Sequence, residues 1–259
     1  MYDDINYETR EGIATITIDR PEKYNAFTAN TVAELNEAIR TADEDDGVYA
    51  IVLTGAGDGF CTGADVDSMP DWDEMSKEEY AGFLWGVQNV VRQLRTIPTP
   101  SVAAVNGPAV GAGCDFALAC DMRYVAPSAF FREGFVRVGL IPGDGGGWLL
   151  PRLVGESKAR EYLLTGKDID AEAAEEMGLV VDVAEDTVAA ATAMAEDIRD
   201  LPRLAVQQTK QLIDPQRSFE DYSERAIEYQ WNCVNDPEHH AAVDAFGTAE
   251  KPDYDREYS

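Results

Sequence analysis

Two glycine-rich segments carry the residues best placed to do chemistry. The first is Gly59-Phe60-Cys61-Thr62-Gly63-Ala64-Asp65, and the second spans residues 106–115 (NGPAVGAGCD). Each follows a short apolar run typical of a buried strand, and the second leads into a predicted helix. Backbone there can approach a ligand closely, and its N–H groups favour negative charge. One N–H from each segment would form an oxyanion hole, although glycines that merely permit tight turns are the alternative explanation.

Other common site chemistries lack their signatures. Neither segment is followed by Gly-Lys-Ser/Thr, and neither has the Gly-x-Gly-x-x-Gly dinucleotide pattern. The only histidines, His239 and His240, are adjacent, so they do not share a helix face and predict no metal site or Ser-His-Asp triad. The cysteines show no disulfide-rich spacing, which predicts reduced thiols: Cys61, Cys114, Cys120 and Cys233. We therefore expect no metal and no separate cofactor.

Alternating strands and helices must position these segments. Strand patterns precede each glycine-rich segment, helical periodicity follows, and helices dominate the C-terminal third, so the fold class is α/β. The predicted strands are 11–19, 49–54, 101–105, 122–125 and 129–131. The predicted helices cover 28–40, 78–94, 114–120, 157–165, 171–177 and 188–199, with another beginning near Trp148.

Charge and hydropathy limit the possible partners and location. The 259 residues include 49 acidic and 21 basic side chains, a net charge of −28. Such a surface repels nucleic acid, and acids spread along the whole chain are typical of adaptation to high salt rather than of one acidic tail. No apolar run is long enough for a membrane span, and the polar N-terminus is unlike a secretory signal, so we expect a cytoplasmic protein.

Seven motifs in order give the chain a family resemblance. The sequence resembles the crotonase (enoyl-CoA hydratase/isomerase) family in RPEKYNA, IVLTG, FCTGAD, PSVAAVNGPAVGAGCDFALACD, VGLIPG followed by Gly145-Gly146, LLTG and AAEEMGLV. The resemblance implies a ClpP-like spiral of stacked ββα units over residues 1–195. It also implies a C-terminal helical trimerisation region over 196–259, and a homotrimer or a dimer of trimers.

The resemblance implies where an acyl-CoA substrate would bind. The family holds the thioester oxygen between two backbone N–H groups, which match Ala64 and Ala112 here. Residues at Lys23, Asn25 and Ala26 match the stretch that lines coenzyme A, together with Asp65 after the first glycine-rich segment and Lys251 near the C-terminus. Lys251 resembles a basic residue that meets the CoA phosphates, often from a neighbouring subunit. Coenzyme A is part of the substrate in this family.

The acid–base positions depart from the family pattern. Family hydratases use two glutamates; the first position holds Asp115 here, and the second aligns with Phe135, which cannot transfer a proton. Glu133 lies two residues earlier on the same strand face and could substitute. Asp144 lies one residue beyond a position where family isomerases carry a functional aspartate. For both aspartates, a location at a helix N-terminus is the structural alternative.

These residues leave the reaction open. Hydration of a 2-enoyl-CoA needs two acids flanking a water and is favoured by its frequency in the family. Double-bond isomerisation needs only one carboxylate. It is supported nearly as well as hydration, because Phe135 stands at the position of the second acid. Hydrolysis of an acyl-CoA thioester and non-catalytic binding of a CoA thioester are the further alternatives.

Overall fold

The computed structural model describes residues 2–65, 67, 74–213, 218–246, 251–256 and 258. The strands are β1 (Ile5–Arg10), β2 (Ile13–Ile18), β3 (Ala50–Gly55), β4 (Ser101–Val105), β5 (Ala109–Val110), β6 (Met122–Val125), β7 (Phe130–Arg132), β8 (Ile169–Asp170) and β9 (Asp182–Val183). The helices are α1 (Ala29–Glu44), α2 (Lys77–Thr96), α3 (Ala112–Ala119), α4 (Gly146–Val154), α5 (Glu156–Thr165), α6 (Ala171–Glu176), α7 (Thr187–Arg199), α8 (Arg203–Leu212), α9 (Phe219–Val234) and α10 (Pro237–Ala245).

The strands form two sheets. The larger has the order β1-β2-β3-β4-β6-β9, parallel throughout except for the β1–β2 hairpin. The smaller has the order β5-β7-β8, with β5 and β7 parallel. This arrangement agrees with the predicted α/β class. The strands predicted in the interior, such as β3 (AIVLTG), are buried along their whole length because helices cover both faces of the large sheet.

Alternate residues of the interior strands pack into two hydrophobic cores, one on each face of the large sheet. Ile51 and Leu53 of β3 face the main core, which also holds α1, α2 and α3. Ala50 and Val52 face the opposite side, where Ala191 and Ala195 of α7 cover the sheet. The period of two residues along a strand produces this division. The predicted boundary between residues 195 and 196 falls within α7, which continues to Arg199.

Side-chain caps fix where the long helices begin. Thr28 and Thr31 form a reciprocal capping box at the start of α1, and Ser76 and Glu79 form one at the start of α2. The last helices, α8, α9 and α10, have no buried residue among those described. No helix in the described ranges combines the length and apolar character needed to cross a membrane.

Candidate active site

Two asparagines hold the first glycine-rich segment in place. Asn25 is buried, and its backbone has a positive φ of +59°. Its side-chain amide donates to the carbonyls of Ala56 (2.9 Å) and Gly59 (2.6 Å). Asn106 donates to the carbonyls of Gly55 and Gly57, both at 2.8 Å. The turn of residues 55–59, which leads into the first glycine-rich segment, is therefore held by two side-chain amides, and this holds the start of the segment in place.

The N–H groups of Ala64 and Ala112 reach the same cavity. The N–H of Phe27 donates to the carbonyl of Gly63 (2.8 Å), and the N–H of Asp65 donates to the carbonyl of Phe27 (2.9 Å). Because these two bonds flank Ala64 in a parallel bridge, the Ala64 N–H points away from Phe27. Ala112 is the first residue of α3, where amides have no partner within the helix.

Both amides are available to a ligand. Within the ranges that the structure describes, neither the Ala64 nor the Ala112 N–H donates to another protein atom. The two segments also lie close together: a Cβ built on Gly63 would lie 2.9 Å from the Val110 carbonyl oxygen and 4.0 Å from the Ala112 nitrogen. The two amides therefore lie on neighbouring segments of one cavity, and their action as an oxyanion hole stays a prediction.

The cavity beside these amides is mostly apolar. Its volume is about 400 Å³. Its apolar walls come from α2, from the two glycine-rich segments and from residues 134–143. The apolar lining side chains include Phe27, Phe83, Leu84, Val87, Val110, Phe135, Val138, Leu140 and Ile141. A cavity of this size and lining suits an apolar part of a small-molecule ligand.

Asp144 is the carboxylate that lines this cavity among the described residues. Its loop is anchored by Gln88, whose side-chain amide donates to the Gly143 carbonyl (2.8 Å). Burial raises the pKa of Asp144 to about 6. The cap of α4 is Gly145 and makes no side-chain bond, so Asp144 is not the helix cap that the sequence also allowed. Asp144 thus lines the cavity and does not cap α4.

Phe135 lines the cavity beside Gly111 of the second glycine-rich segment. A Cβ built on Gly111 would lie 3.6 Å from the Phe135 ring. Gly111 itself has φ +56°, a conformation that favours glycine and turns the chain into α3. The aligned position of the second hydratase glutamate thus presents an aromatic ring, with no proton to donate, to the cavity.

Asp115 and Glu133 lie together behind this wall. Both side chains are buried, with 0% and 1% exposure, and neither lines the cavity. Burial raises the pKa of Asp115 well above its usual range, and the charges of Glu133 and Asp144 raise it further. Burial also raises the pKa of Glu133 to about 7. The structure therefore brings the three predicted acids into one neighbourhood but gives only Asp144 access to the cavity.

The residues predicted to bind coenzyme A do not form one cluster. Lys23 and Arg20 both pair with Asp65, at 3.8 Å and 3.2 Å, and Lys23 also pairs with Asp67. Ala26 is buried, and the Asn25 amide is fully used within the loop. Lys251 is exposed, pairs with Asp200 at 3.0 Å and does not line the cavity of its own chain. Contact of these residues with coenzyme A stays a prediction.

Three polar residues that line the cavity were not predicted as site residues from the sequence: Tyr80, Arg132 and Arg137. Burial and the charge of Asp144 both raise the pKa of Tyr80, which places the two groups near one another. Tyr80 shares a helix face with residues 83, 84 and 87, and this i, i+3, i+4, i+7 spacing was the available signal. Arg132 is the last residue of β7 and Arg137 lies in the turn after it, and neither belonged to a comparable pattern. No group of three or more His, Cys, Asp or Glu side chains in the described residues has metal-binding geometry.

Known proteins match this chain along most of its length. The family model Enoyl-CoA hydratase/isomerase matches residues 8–256. The Mycobacterium tuberculosis protein named "Probable enoyl-CoA hydratase EchA14" is 39% identical over 215 residues, 81% of each chain. The 1,2-epoxyphenylacetyl-CoA isomerase of Escherichia coli K12 is 37% identical over 224 residues, 83% of each chain.

Solved structures agree with the sequence matches. The crystal structure of enoyl-CoA hydratase from Bacillus anthracis superimposes with a TM-score of 0.92 at 28% identity, covering 98% of this chain and 100% of that one. The resemblance drawn from the seven motifs is thereby confirmed, and so is the crotonase fold. The chain belongs to the enoyl-CoA hydratase/isomerase (crotonase) family.

Proposed function

We propose that this protein is an enoyl-CoA isomerase that moves a carbon–carbon double bond with one carboxylate, Asp144. The observation that carries the proposal is the lining of the cavity. Among the described residues, Asp144 is the carboxylate with access to it, and Phe135 stands where a hydratase needs its second acid. A one-carboxylate reaction is the chemistry that this lining supports best.

The reaction starts at the thioester oxygen. This oxygen accepts hydrogen bonds from the N–H groups of Ala64 and Ala112, which stabilise the negative charge of an enolate. One such donor contributes about 10²–10³ in rate. The carboxylate of Asp144 removes a proton from the α-carbon of a 3-enoyl-CoA. The electron pair of the broken C–H bond is delocalised over the thioester carbonyl and the neighbouring β,γ double bond, which gives a dienolate.

The same carboxyl group completes the reaction. Protonated Asp144 returns its proton to the γ-carbon, and the double bond then lies between the α- and β-carbons. No atom is gained or lost. Its pKa of about 6 suits both steps, because the group is ionised at neutral pH yet basic enough to accept a proton. The apolar cavity walls keep water away from the dienolate.

Hydration is the second candidate, favoured by the names of relatives. EchA14 and the Bacillus anthracis protein are both named as hydratases. Hydration would require a second acidic side chain to exchange a proton with the attacking water. The candidates, Asp115 and Glu133, are buried and do not line the cavity. It would therefore need these side chains to move, whereas isomerisation does not.

A product assay distinguishes the candidates. Purified protein is incubated with 2-enoyl-CoA, 3-enoyl-CoA and saturated acyl-CoA esters at low and at molar KCl, and the products are identified by mass and NMR. A 3-enoyl-CoA converted to its 2-enoyl isomer at unchanged mass supports the proposal. A product heavier by one water would identify a hydratase, and free CoA would identify a thioester hydrolase. Binding without turnover would identify a non-catalytic CoA-thioester protein; each of these three results contradicts the proposal.

A further inference from the structure

Two arginines interrupt the apolar lining of the cavity. Arg132 and Arg137 both line it, beside the apolar side chains of Phe135, Val138 and Leu140. Arg137 is exposed, so it lies where the cavity opens to solvent. In an apolar cavity, a small number of polar groups determine which ligand binds and in which orientation. The chemistry of the two arginines therefore indicates what kind of ligand the cavity takes.

Asp168 already neutralises Arg132. The guanidinium donates to both carboxylate oxygens of Asp168, from Nε to Oδ1 and from Nη2 to Oδ2, the latter at 2.8 Å. The carbon Cζ of Arg132 also lies 4.7 Å from the centre of the Phe130 ring. A bidentate pair of this kind fixes the geometry of both groups. Arg132 is therefore held in place, and its charge is matched before any ligand binds.

Arg137 has no such partner. Among the residues that the structure describes, no hydrogen bond or ion pair connects its side chain to another group. Its stem packs against the chain after α5, because a Cβ built on Gly166 would lie 3.1 Å from both Cγ and Nε of Arg137. Asp168 lies two residues further on, and the hydrogen bonds from Arg132 together with the charges of both arginines hold its pKa below its usual range. One carboxylate thus faces two guanidinium groups, which leaves one positive charge at the edge of the cavity.

Asp144 lies in another part of the cavity. Burial alone raises the pKa of Asp144, whereas a nearby guanidinium would lower it. Neither arginine is therefore a close partner of Asp144. An anionic group of a ligand can be attracted to Arg137 while a different part of that ligand meets Asp144.

We propose that Arg137 binds a carboxylate at the end of the acyl chain remote from the thioester, so that the substrate is the CoA thioester of an unsaturated dicarboxylic acid. This inference deepens the proposed function and rests on it for the thioester at the other end. The planar guanidinium matches the two oxygens of a carboxylate. Val138, Leu140 and Ile141 line the cavity beside Arg137, which suits the carbon chain that joins the two ends.

The location of Arg137 assigns its charge to the acyl chain and not to the CoA phosphates. Lys23, Asp65 and Lys251, which are predicted to contact coenzyme A, do not line this cavity, whereas Arg137 lines it together with apolar side chains. If Arg137 instead met the CoA phosphates, its removal would weaken the binding of every CoA ester equally.

The test is isothermal titration calorimetry with adipoyl-CoA and hexanoyl-CoA, at the lowest KCl concentration at which circular dichroism shows a folded protein. The two esters have six-carbon acyl chains and differ only in a terminal carboxylate or methyl group. Arg137→Gln should weaken the binding of adipoyl-CoA about tenfold, since a charge-assisted hydrogen bond is lost. Its affinity for hexanoyl-CoA should stay within about twofold of the wild type, because the methyl group makes no such bond.

Arg160→Gln is the matched control. It removes the same charge from an exposed position of α5, where Arg160 pairs with Glu156, and should bind both esters as the wild type does. Equal weakening of both esters by Arg137→Gln would assign Arg137 to the CoA phosphates, and no weakening of either would leave it without a ligand. Each of these two results would overturn the proposal.

A second ligand tests the proposal on the wild-type protein alone. The terminal amide of adipoyl-CoA is neutral and nearly the same size, so it should bind about tenfold more weakly than adipoyl-CoA itself. An amide that binds as tightly as the acid would contradict recognition of a carboxylate. Because these esters contain no carbon–carbon double bond, the binding results do not depend on which reaction the protein catalyses, and the product assay tests the isomerase proposal separately.

Discussion

Burial and position give Asp144 properties that its neighbours lack. It is partly buried at the cavity, close enough to solvent to exchange a proton, and its pKa is about 6. Asp115 and Glu133 are too deeply buried to meet a substrate in this conformation. The sequence singled out all three acids and Phe135, because motif order fixes their alignment. The sequence did not reveal that Asp144 lines the cavity and Asp115 does not, since which carboxyl reaches the cavity depends on how β7 and α3 pack against α4.

The pH dependence of isomerisation should reflect Asp144. The base must be ionised in the free enzyme, so kcat/KM should fall as the pH decreases through about 6, the pKa of Asp144. The measurement is kcat/KM for a 3-enoyl-CoA from about pH 4.5 to 8, with folding checked at each pH by circular dichroism. An acid limb centred near pH 4, the usual range of an aspartate, would contradict the assigned base.

Glu133 should make stability depend on pH. Its pKa is about 7 in the folded protein against 4.5 as the ordinary value, so the folded state binds the proton more tightly. This contribution is complete below about pH 4.5 and is lost as the pH rises through about 7. The free energy of unfolding in urea should therefore fall by about 1–3 kcal/mol more for the wild type than for Glu133→Gln between pH 5 and 8. Parallel pH curves for the two proteins would show that Glu133 carries no raised pKa.

At the scale of elements, close backbone approaches organise the site. The buried strands and the long helices could be predicted from their periods of 2 and 3.6 residues. The two-residue strands β8 and β9 could not, because they exist only through pairing with β7 and β6, far away in the sequence. The start of α3 was predicted at Cys114 but lies at Ala112, since the positive φ of Gly111 sets the turn two residues earlier. That shift matters because it makes Ala112 a first-turn donor.

Two helical glycines offer a matched pair of substitutions. A Cβ at Gly113 in α3 would lie 2.1 Å from the Cys61 carbonyl oxygen and would push the two glycine-rich segments apart. Gly113→Ala should cost about 1–3 kcal/mol of stability and reduce turnover by displacing the Ala112 N–H. Gly82→Ala in α2 meets nothing within 4 Å and should stabilise the protein by about 0.5–1 kcal/mol. Thermal melts and turnover assays compare them; equal effects would contradict the close approach.

At the scale of the whole molecule, charge and uncovered apolar surface dominate. The net charge of −28 is spread over the chain, and the C-terminal helices expose large apolar side chains, including Ile227 (74%) and Trp231 (67%) of α9. The family resemblance predicts that this region joins subunits. The dispersal of charge was visible from the order of residues in the sequence. Which face of α9 is exposed could not be predicted, because it depends on how α8 packs against α9.

Stability should rise with salt. Self-repulsion among the carboxylates is screened over about 3 Å at 1 M salt, compared with about 10 Å at 0.1 M. The melting temperature should increase by several degrees between these KCl concentrations, and Na⁺ and K⁺ should act alike if screening is the cause. A melting temperature that is flat or falls with KCl would contradict adaptation to high salt.

Self-association should cover the C-terminal helices. Light scattering in molar KCl should give the mass of a trimer or a hexamer. Ile227→Asp should shift the mass towards the monomer, because it places a charge on the apolar face of α9. Exposed Glu156→Asp on α5 is a control that should leave the assembly intact. A monomer at all concentrations would contradict the expected assembly.

The central claim is that one carboxylate, Asp144, transfers the proton, and the most direct measurement is the effect of Asp144→Asn on 3-enoyl-CoA isomerisation. The variant keeps the shape of the side chain and removes the base, so kcat/KM should fall by about 10²–10⁴. Asp197→Asn, at an exposed position of α7, should keep the wild-type rate. An Asp144→Asn protein that isomerises 3-enoyl-CoA at the wild-type rate would contradict the account.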